Sequence, residues 1–209
     1  MTAIVLIAKQ PVAGRVKTRL HPPLSLEQAA ELAAAAIADS IAVLRQAPAS
    51  RRILLFDGDP ASVDATGFEV VPQAPGGLDE RLAAVFDLLD EPMLLVGMDT
   101  PQLTVGDLAP ALAGDVGTED AWFGPAADGG FWALGMRTPT GDLIRGVPMS
   151  QSDTGAHQLA RLRAAGLGVG MLTTLTDVDD IGSARAVAQT APSTLFAQRL
   201  SEIGAALGA

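Results

Sequence analysis

Cysteine is absent from this chain of 209 residues. That excludes disulfides, thiolate-held metals and cysteine nucleophiles outright. Histidine is nearly absent, with only His21 and His157, so a histidine-rich metal centre or an imidazole proton relay has no residues to build on. Positive charge is scarce: 14 Lys and Arg stand against 24 Asp and Glu, a formal net charge of −10. A chain so acidic is repelled by anionic polymers and anionic membranes, so neither nucleic acid nor a membrane is an expected partner. The N-terminal apolar run, Ala3 to Ala8, is too short to cross a bilayer and follows no basic segment. The expectation is a soluble, cytoplasmic protein. Internal repeats, low-complexity tracts and Pro/Ser-rich linkers are also missing, which predicts one domain over residues 1–209.

Hydrophobic residues make up 48% of the chain, enough for a substantial core. Ala3 to Ala8 is apolar throughout and β-branched in part, as a strand covered on both faces must be. Ser25 followed by Gln28 has the form of a capping box, opening a helix to about Gln46. The pattern then predicts strands at Arg52–Phe56 and Phe68–Val71, a helix at Leu78–Leu89, and an apolar strand at Met93–Met98. A short helix at Leu103–Leu112, strands at Ala121–Pro125 and Phe131–Met136, and a helix at Asp153–Ala165 follow. A strand at Val169–Leu175 and helical stretches near Ile181–Gln189 and Pro192–Leu207 close the chain. Strands alternating with helices predict an α/β fold with a mostly parallel sheet and helices on both sides.

The scarce cations are concentrated. Lys9, Arg15, Lys17 and Arg19 fall within eleven residues, in the loop Lys9-Gln-Pro-Val-Ala-Gly14 and just beyond it. A Pro/Gly loop at the end of a strand, with clustered cations, suits a polyphosphate: glycine admits close backbone approach, and lysine and arginine neutralise charge. A solvated basic loop is the alternative.

Asp99 is the first polar side chain after the strand Met93–Met98, at the strand end where ligands of open α/β sheets bind. A carboxylate there suits Mg²⁺ or Mn²⁺ bridging phosphate oxygens. Capping of the next helix is the alternative, though Thr104 could also serve. Asp177 and Asp179, in Asp177-Val-Asp-Asp180, would point the same way from an extended backbone and could share a cation with Asp99. Asp180 reads as a cap before Ile181. Asp128-Gly129-Gly130 followed by Phe131-Trp132 is either a plain hairpin turn or a backbone-open wall of a second substrate pocket. Ser152-Asp153-Thr154 reads as a helix cap at a position facing the expected acceptor side, and His21, before two prolines, as a surface turn residue, with contact to a phosphate as the alternative.

These segments, in this order, resemble a family within the nucleotide-diphospho-sugar transferase (GT-A-like) superfamily, over Ile4 to about Ala184. Relatives in that superfamily include the guanylyltransferases that activate phosphoenolpyruvate or phospholactate and the molybdenum-cofactor guanylyltransferase. The resemblance implies a Rossmann-like, three-layer α/β/α GT-A-type fold with a mostly parallel mixed sheet, and a divalent metal, Mg²⁺ or Mn²⁺. It assigns the phosphates to Lys9, Gly14, Arg15, Lys17 and Arg19, the metal to Asp99, and supporting roles to Asp177 and Asp179. Gln73, Gly76, Leu78 and Arg81 fit a Gln-x-x-Gly-x-Leu-x-x-Arg segment that borders the nucleoside, with Asp79 where many members carry glycine. Ile7-Ala8-Lys9-Gln10 replaces the usual Leu-Ala-Gly-Gly opening.

The leading expectation is metal-dependent nucleotidyl transfer from an NTP to a small phosphate- or carboxylate-bearing acceptor, with release of pyrophosphate. Asp99 would hold the metal, and Lys17 and Arg19 would stabilise phosphate charge. Glycosyl transfer from a nucleotide sugar, with Asp128 as base, is a second reading. A non-catalytic nucleotide-binding domain is a third. Association as a homodimer is allowed for. The first strand lacks a following Gly-x-Gly-x-x-Gly, which argues against a dehydrogenase.

Overall fold

Side chains along an extended strand alternate between two faces, so a strand apolar at every position must be covered on both. The N-terminal run behaves accordingly. It forms β1 (Ala3–Lys9), whose Ile4, Leu6 and Ala8 pack into one buried layer while Ala3 and Val5 pack into the other. The computed structural model describes residues 1–113 and 118–207.

β1 is the third of four adjacent parallel strands, after β3 (Glu69–Pro72) and β2 (Arg52–Asp57) and before β4 (Met93–Gly97). β6 (Phe131–Met136) runs antiparallel to both β4 and β5 (Ala121–Pro125), and β7 (Val169–Met171) is parallel to β5. The seven strands lie in the order β3-β2-β1-β4-β6-β5-β7. The mixed, mostly parallel sheet is the one expected. β1 has β2 on one side and β4 on the other, so the direction of winding reverses there and a crevice opens at the carboxyl ends of β1 and β4.

α1 (Leu26–Gln46) lies on one face, placing Ala33, Ile37, Ile41 and Leu44 against Leu6, Leu54 and Val96. Its Ser25–Gln28 capping box forms as the sequence predicts. α3 (Val105–Leu112) covers the same face. α2 (Leu78–Leu88) and α4 (Thr154–Ala164) cover the other, through Leu82, Val85, Phe86 and Leu162. α5 (Ile181–Thr190) and α6 (Leu195–Leu207) sit behind α1, burying Val187, Phe196 and Ile203 against Ala29, Leu32 and Ala36. Full burial of side chains such as Phe86, Phe196 and Ile37 contributes about 1.5–3 kcal/mol each. Among the described residues no helix is long and apolar enough to cross a membrane.

One strand is shorter than the sequence suggests. β7 stops at Met171 instead of reaching Leu175. Its partner β5 shifts register against β6 at Gly124/Pro125, and beyond Met171 β5 meets this segment again as an isolated bridge between Ala126 and Leu175. Pro125 cannot donate to a ladder. The interruption frees the Thr173 carbonyl to accept from Trp132 Nε1 at 2.9 Å.

Candidate active site

The crevice at the carboxyl ends of β1 and β4 is a cleft of about 760 Å³. Its walls include Lys9, Lys17, Arg19, Gln73, Arg81, Asp99, Asp128, Asp177 and Asp179. Gly14, Arg15 and Gly76 do not line it; Gly14 and Arg15 lie exposed on the loop outside, and the Gly76 carbonyl accepts from Arg81 Nε.

Local helix chemistry accounts for which aspartates enter the cleft. α3 is capped by Thr104 and Asp107, which bond each other's backbone N–H, so Asp99 has no capping duty. α5 is capped by Asp180 with Ser183, which leaves Asp177 and Asp179 uncommitted to that helix. The two segments then meet through backbone. Val178, buried to 1% exposure, donates its N–H to the Asp99 carbonyl at 2.9 Å. Gln102 Nε2 donates to the Thr176 carbonyl at 2.7 Å, pinning the same pair of segments. With Val178 turned into the core, its neighbours Asp177 and Asp179 both reach the cleft.

Lys17 enters the same place. Its backbone is left-handed at φ 47°, and its side chain is only 9% exposed. Nζ lies 2.6 Å from Asp99 Oδ1 and 3.6 Å from Asp179 Oδ1, while Arg19 Nη1 is 3.8 Å from Asp179 Oδ2. Lys17 meets Asp99 as an ion pair off the hydrogen-bond direction, for Asp99 Oδ1 is buried and accepts no hydrogen bond. Asp177 Oδ1 and Thr100 Oγ1 are likewise buried without partners. Burial, then the negative fields of Asp99 and Asp128, with Lys17 opposing and Asp179 adding, push the Asp177 carboxyl up to about 7. Negative charge in excess of its local compensation is the electrostatic signature of this cleft.

That donor set fits a divalent cation of a particular kind. Among the described residues no three His, Asp or Glu side chains close on one point, so an all-protein cage is absent. Mg²⁺ is commonly held by one or two carboxylates, with substrate phosphates and water completing its octahedron. Asp99, whose buried Oδ1 meets only Lys17 and accepts no hydrogen bond, and Asp177, whose buried Oδ1 has no partner, supply such a pair.

The nucleoside side is braced by Gln73. Its Nε2 donates to the Ala8 carbonyl at 2.8 Å and its Oε1 accepts from Arg81 Nη1 at 3.4 Å, so it holds the ends of β1 and α2 together. Arg81 also lies 3.5 Å from Asp57. Asp79, the departure from glycine, faces away from the cleft wall and accepts from Gly146 N at 2.9 Å. His21 is an exposed turn residue bonded to the Leu24 carbonyl, as expected.

The far wall combines the two readings left open for residues 128–130. They do make the β5–β6 hairpin turn, with Asp128 Oδ1 accepting from Gly130 N at 2.8 Å. Asp128 and Gly130 also line the cleft, and Gly129 and Gly130 abut the start of α4. Gly129 has φ +91°, and a Cβ there would lie 1.8 Å from the Ser152 carbonyl oxygen. The segment Met149–Ser152 completes this wall. Sequence reasoning reaches only Ser152, as part of an expected cap facing the acceptor side; it misses Met149–Gln151, which carry no motif. Capping itself differs: Asp153 stands at the N-cap position of α4 but makes no side-chain cap bond. Thr154 Oγ1 instead accepts from Gln151 N and donates to the Pro148 carbonyl.

The model of the family described as "Uncharacterized protein conserved in bacteria (DUF2064)" matches residues 31–151. No curated protein matches the sequence. A protein from Desulfovibrio desulfuricans G20, provisionally designated a nucleotide-diphospho-sugar transferase, is 25% identical and superposes with a TM-score of 0.87, over 98% of this chain and 96% of its own. The 2-C-methyl-D-erythritol 4-phosphate cytidylyltransferase from Thermus thermophilus is similar in fold, with a TM-score of 0.55 at 15% identity, over 92% of this chain and 100% of its own. The CMP:2-keto-3-deoxy-manno-octonic acid synthetase, solved with CTP, gives 0.56 at 14%, over 92% and 99%. The chain thus has the GT-A-like fold of the nucleotide-diphospho-sugar transferases.

Proposed function

The chain belongs to the DUF2064 family, and from that premise we propose that it is a transferase acting on a nucleoside triphosphate, passing the nucleotidyl group to a small acceptor and releasing pyrophosphate. The observation that carries this reading is the meeting of Asp99, Asp177 and Asp179 with Lys17 and Arg19 at the carboxyl ends of β1 and β4. The cytidylyltransferase and synthetase of similar fold support it.

In this reading the base and ribose lie between the β1 end and the start of α2, bordered by Lys9, Gln73, Leu78 and Arg81. Lys17 and Arg19 face the phosphates and take up the negative charge that develops on the departing pyrophosphate. Asp99 and Asp177, with Asp179 beside Lys17 and Arg19, would hold a divalent cation, which when bound neutralises phosphate oxygens and fixes their geometry. Asp128, on the opposite wall, faces the acceptor and takes its proton. Trp132, Met98 and Phe131 add apolar surface to the walls beside these groups.

The test is calorimetric titration of GTP, CTP, UTP and ATP with Mg²⁺ and again with EDTA, followed by pyrophosphate release by the protein and by Asp99→Asn. Metal-dependent binding of one triphosphate, with turnover at least about 100-fold lower in the variant, is the expected result. Unchanged release in Asp99→Asn sinks this mechanism. Glycosyl transfer from a nucleotide sugar is a second reading, favoured by the position of Asp128 in the cleft wall opposite the cations. It yields a nucleoside diphosphate in place of pyrophosphate. Binding without turnover of either donor would indicate a non-catalytic nucleotide-binding domain.

A further inference from the structure

The two halves of the cleft differ in charge. Every cation in its lining, Lys9, Lys17, Arg19 and Arg81, belongs to β1, the segment that follows it, or α2. Between Asp128 and Thr154 the lining has no lysine, arginine or histidine; its polar side chains there are Ser150, Gln151, Ser152 and Thr154, beside the carboxylate of Asp128. The cations nearest in sequence are engaged elsewhere. Arg145 pairs with Asp87 and Glu80, Arg161 donates to the Arg145 carbonyl, and His157 pairs with Asp153.

Three N–H groups at the start of α4 are already engaged. The N–H groups of Thr154, Gly155 and His157 donate to the carbonyls of Gln151, Gly129 and Asp153. Asp153 adds a negative charge at that end of the helix. By contrast, the hydroxyls of Ser150 and Ser152 and the amide of Gln151 are exposed and bond to no described residue. They are held on a stiff frame. Thr154 Oγ1 ties Gln151 to Pro148, Ser150 is left-handed at φ 59°, and Gly129 and Gly155 let the turn and the helix start touch, since a Cβ on Gly155 would lie 2.5 Å from the Gly130 carbonyl oxygen. A rigid wall of neutral donors and acceptors around one carboxylate suits a ligand of the same character.

The geometry points to an acceptor that is an uncharged polyhydroxy compound, a polyol or neutral sugar, in place of the phosphate- or carboxylate-bearing acceptor expected from the sequence. An acceptor anion seated there would meet the Asp128 carboxylate and no cation from residues 128–154 of the lining, whereas a hydroxyl can donate to that carboxylate. This assignment rests on the proposed nucleotidyl transfer. The acceptor hydroxyl oxygen bonds to the α-phosphorus, the bond from that phosphorus to the bridging oxygen breaks, pyrophosphate leaves with the electron pair, and the hydroxyl proton passes to the Asp128 carboxylate.

The experiment loads the full chain with its best triphosphate and Mg²⁺, then titrates matched pairs: myo-inositol, glycerol, D-glucose and D-mannose against their monophosphates, with D-glucuronate as the carboxylate. Saturation-transfer NMR reads binding, and phosphorus NMR reads the phosphodiester product. A neutral member should bind and react, its phosphate at least about tenfold more weakly, and Gln151→Ala and Ser152→Ala should each weaken the neutral acceptor up to about tenfold while nucleotide affinity holds. Preference for the phosphorylated or carboxylated members, or no binding of any neutral member to the nucleotide-loaded protein, overturns the acceptor assignment and leaves the nucleotide reading standing. Absence of triphosphate binding in the first step overturns both.

Discussion

Replacing Asp177 with asparagine should make the folded chain more stable, and increasingly so as pH rises. The Asp177 carboxyl is pushed from 3.8 to about 7 by burial and by the charges of Asp99 and Asp128. Folding therefore favours its protonated form. The sign follows: a carboxyl with a raised folded-state pKa contributes fully below pH 3.8, and that contribution is lost as pH climbs toward 7. At about 1.4 kcal/mol per decade of proton affinity, the wild type has lost about 1.5 kcal/mol through this group at pH 5 and about 4 at pH 8. The asparagine of Asp177→Asn keeps the shape and cannot ionise, so its advantage over the wild type should grow by about 3 kcal/mol between those two pH values. For a chain of this size that corresponds to roughly 6–12 °C in Tm. The assay is urea denaturation of both proteins at pH 5 and pH 8 with EDTA present, so that no divalent ion masks the carboxylate. Differences between the two proteins cancel every titration they share. An advantage that is flat across pH, or a variant less stable at pH 8, would refute the claim that Asp177 is held in an uncompensated negative field. The stabilised variant should also be the inactive one, because the same strain makes the site ready for a cation.

Three further outcomes follow from the geometry. Lys17→Met removes the ammonium lying between Asp99 and Asp179; triphosphate affinity should fall about 10- to 100-fold by calorimetry, the worth of one charge-assisted contact. Gly129→Ala forces a Cβ to within 1.8 Å of the Ser152 carbonyl oxygen from a backbone at φ +91°, and should destabilise the fold by about 2–5 kcal/mol in urea titration. Asp39 accepts from the N–H groups of Leu195 and Phe196 at the start of α6; Asp39→Ala should lower stability by about 1 kcal/mol and speed amide exchange at those two positions first.

Much of this molecule is written locally. The Ser25–Gln28 box, the cap at Asp180 and the apolar strands β1 and β4 follow from hydrogen-bonding and burial needs satisfied within a few residues, so residue order alone makes their positions legible. The same holds for Asp99: a carboxylate placed just after a fully buried strand has little choice but to emerge at the strand end. The order of motifs also identified the fold, since alternating strands and helices close into few topologies.

Other features needed the chain to close on itself. β7 ends early beside an irregularity of a different strand, β5, at Gly124/Pro125, and meets it again only at the Ala126–Leu175 bridge. Asp177 and Asp179 join Asp99 because Val178 donates to a carbonyl 79 residues away in the chain. Lys17 looked like one cation among four in a loop; its seat between carboxylates exists only once that loop folds back over the β4 end. Beyond the cap expected at Ser152, the wall at Met149–Ser152 had no signature, since uncharged residues in a loop acquire meaning from what they are pressed against, here the Gly129–Gly130 turn. Propensity and burial act over a few residues and are readable from order alone. Electric fields and close contacts depend on distances between remote segments, so the charge of the cleft, and the ligand it suits, emerge only from packing.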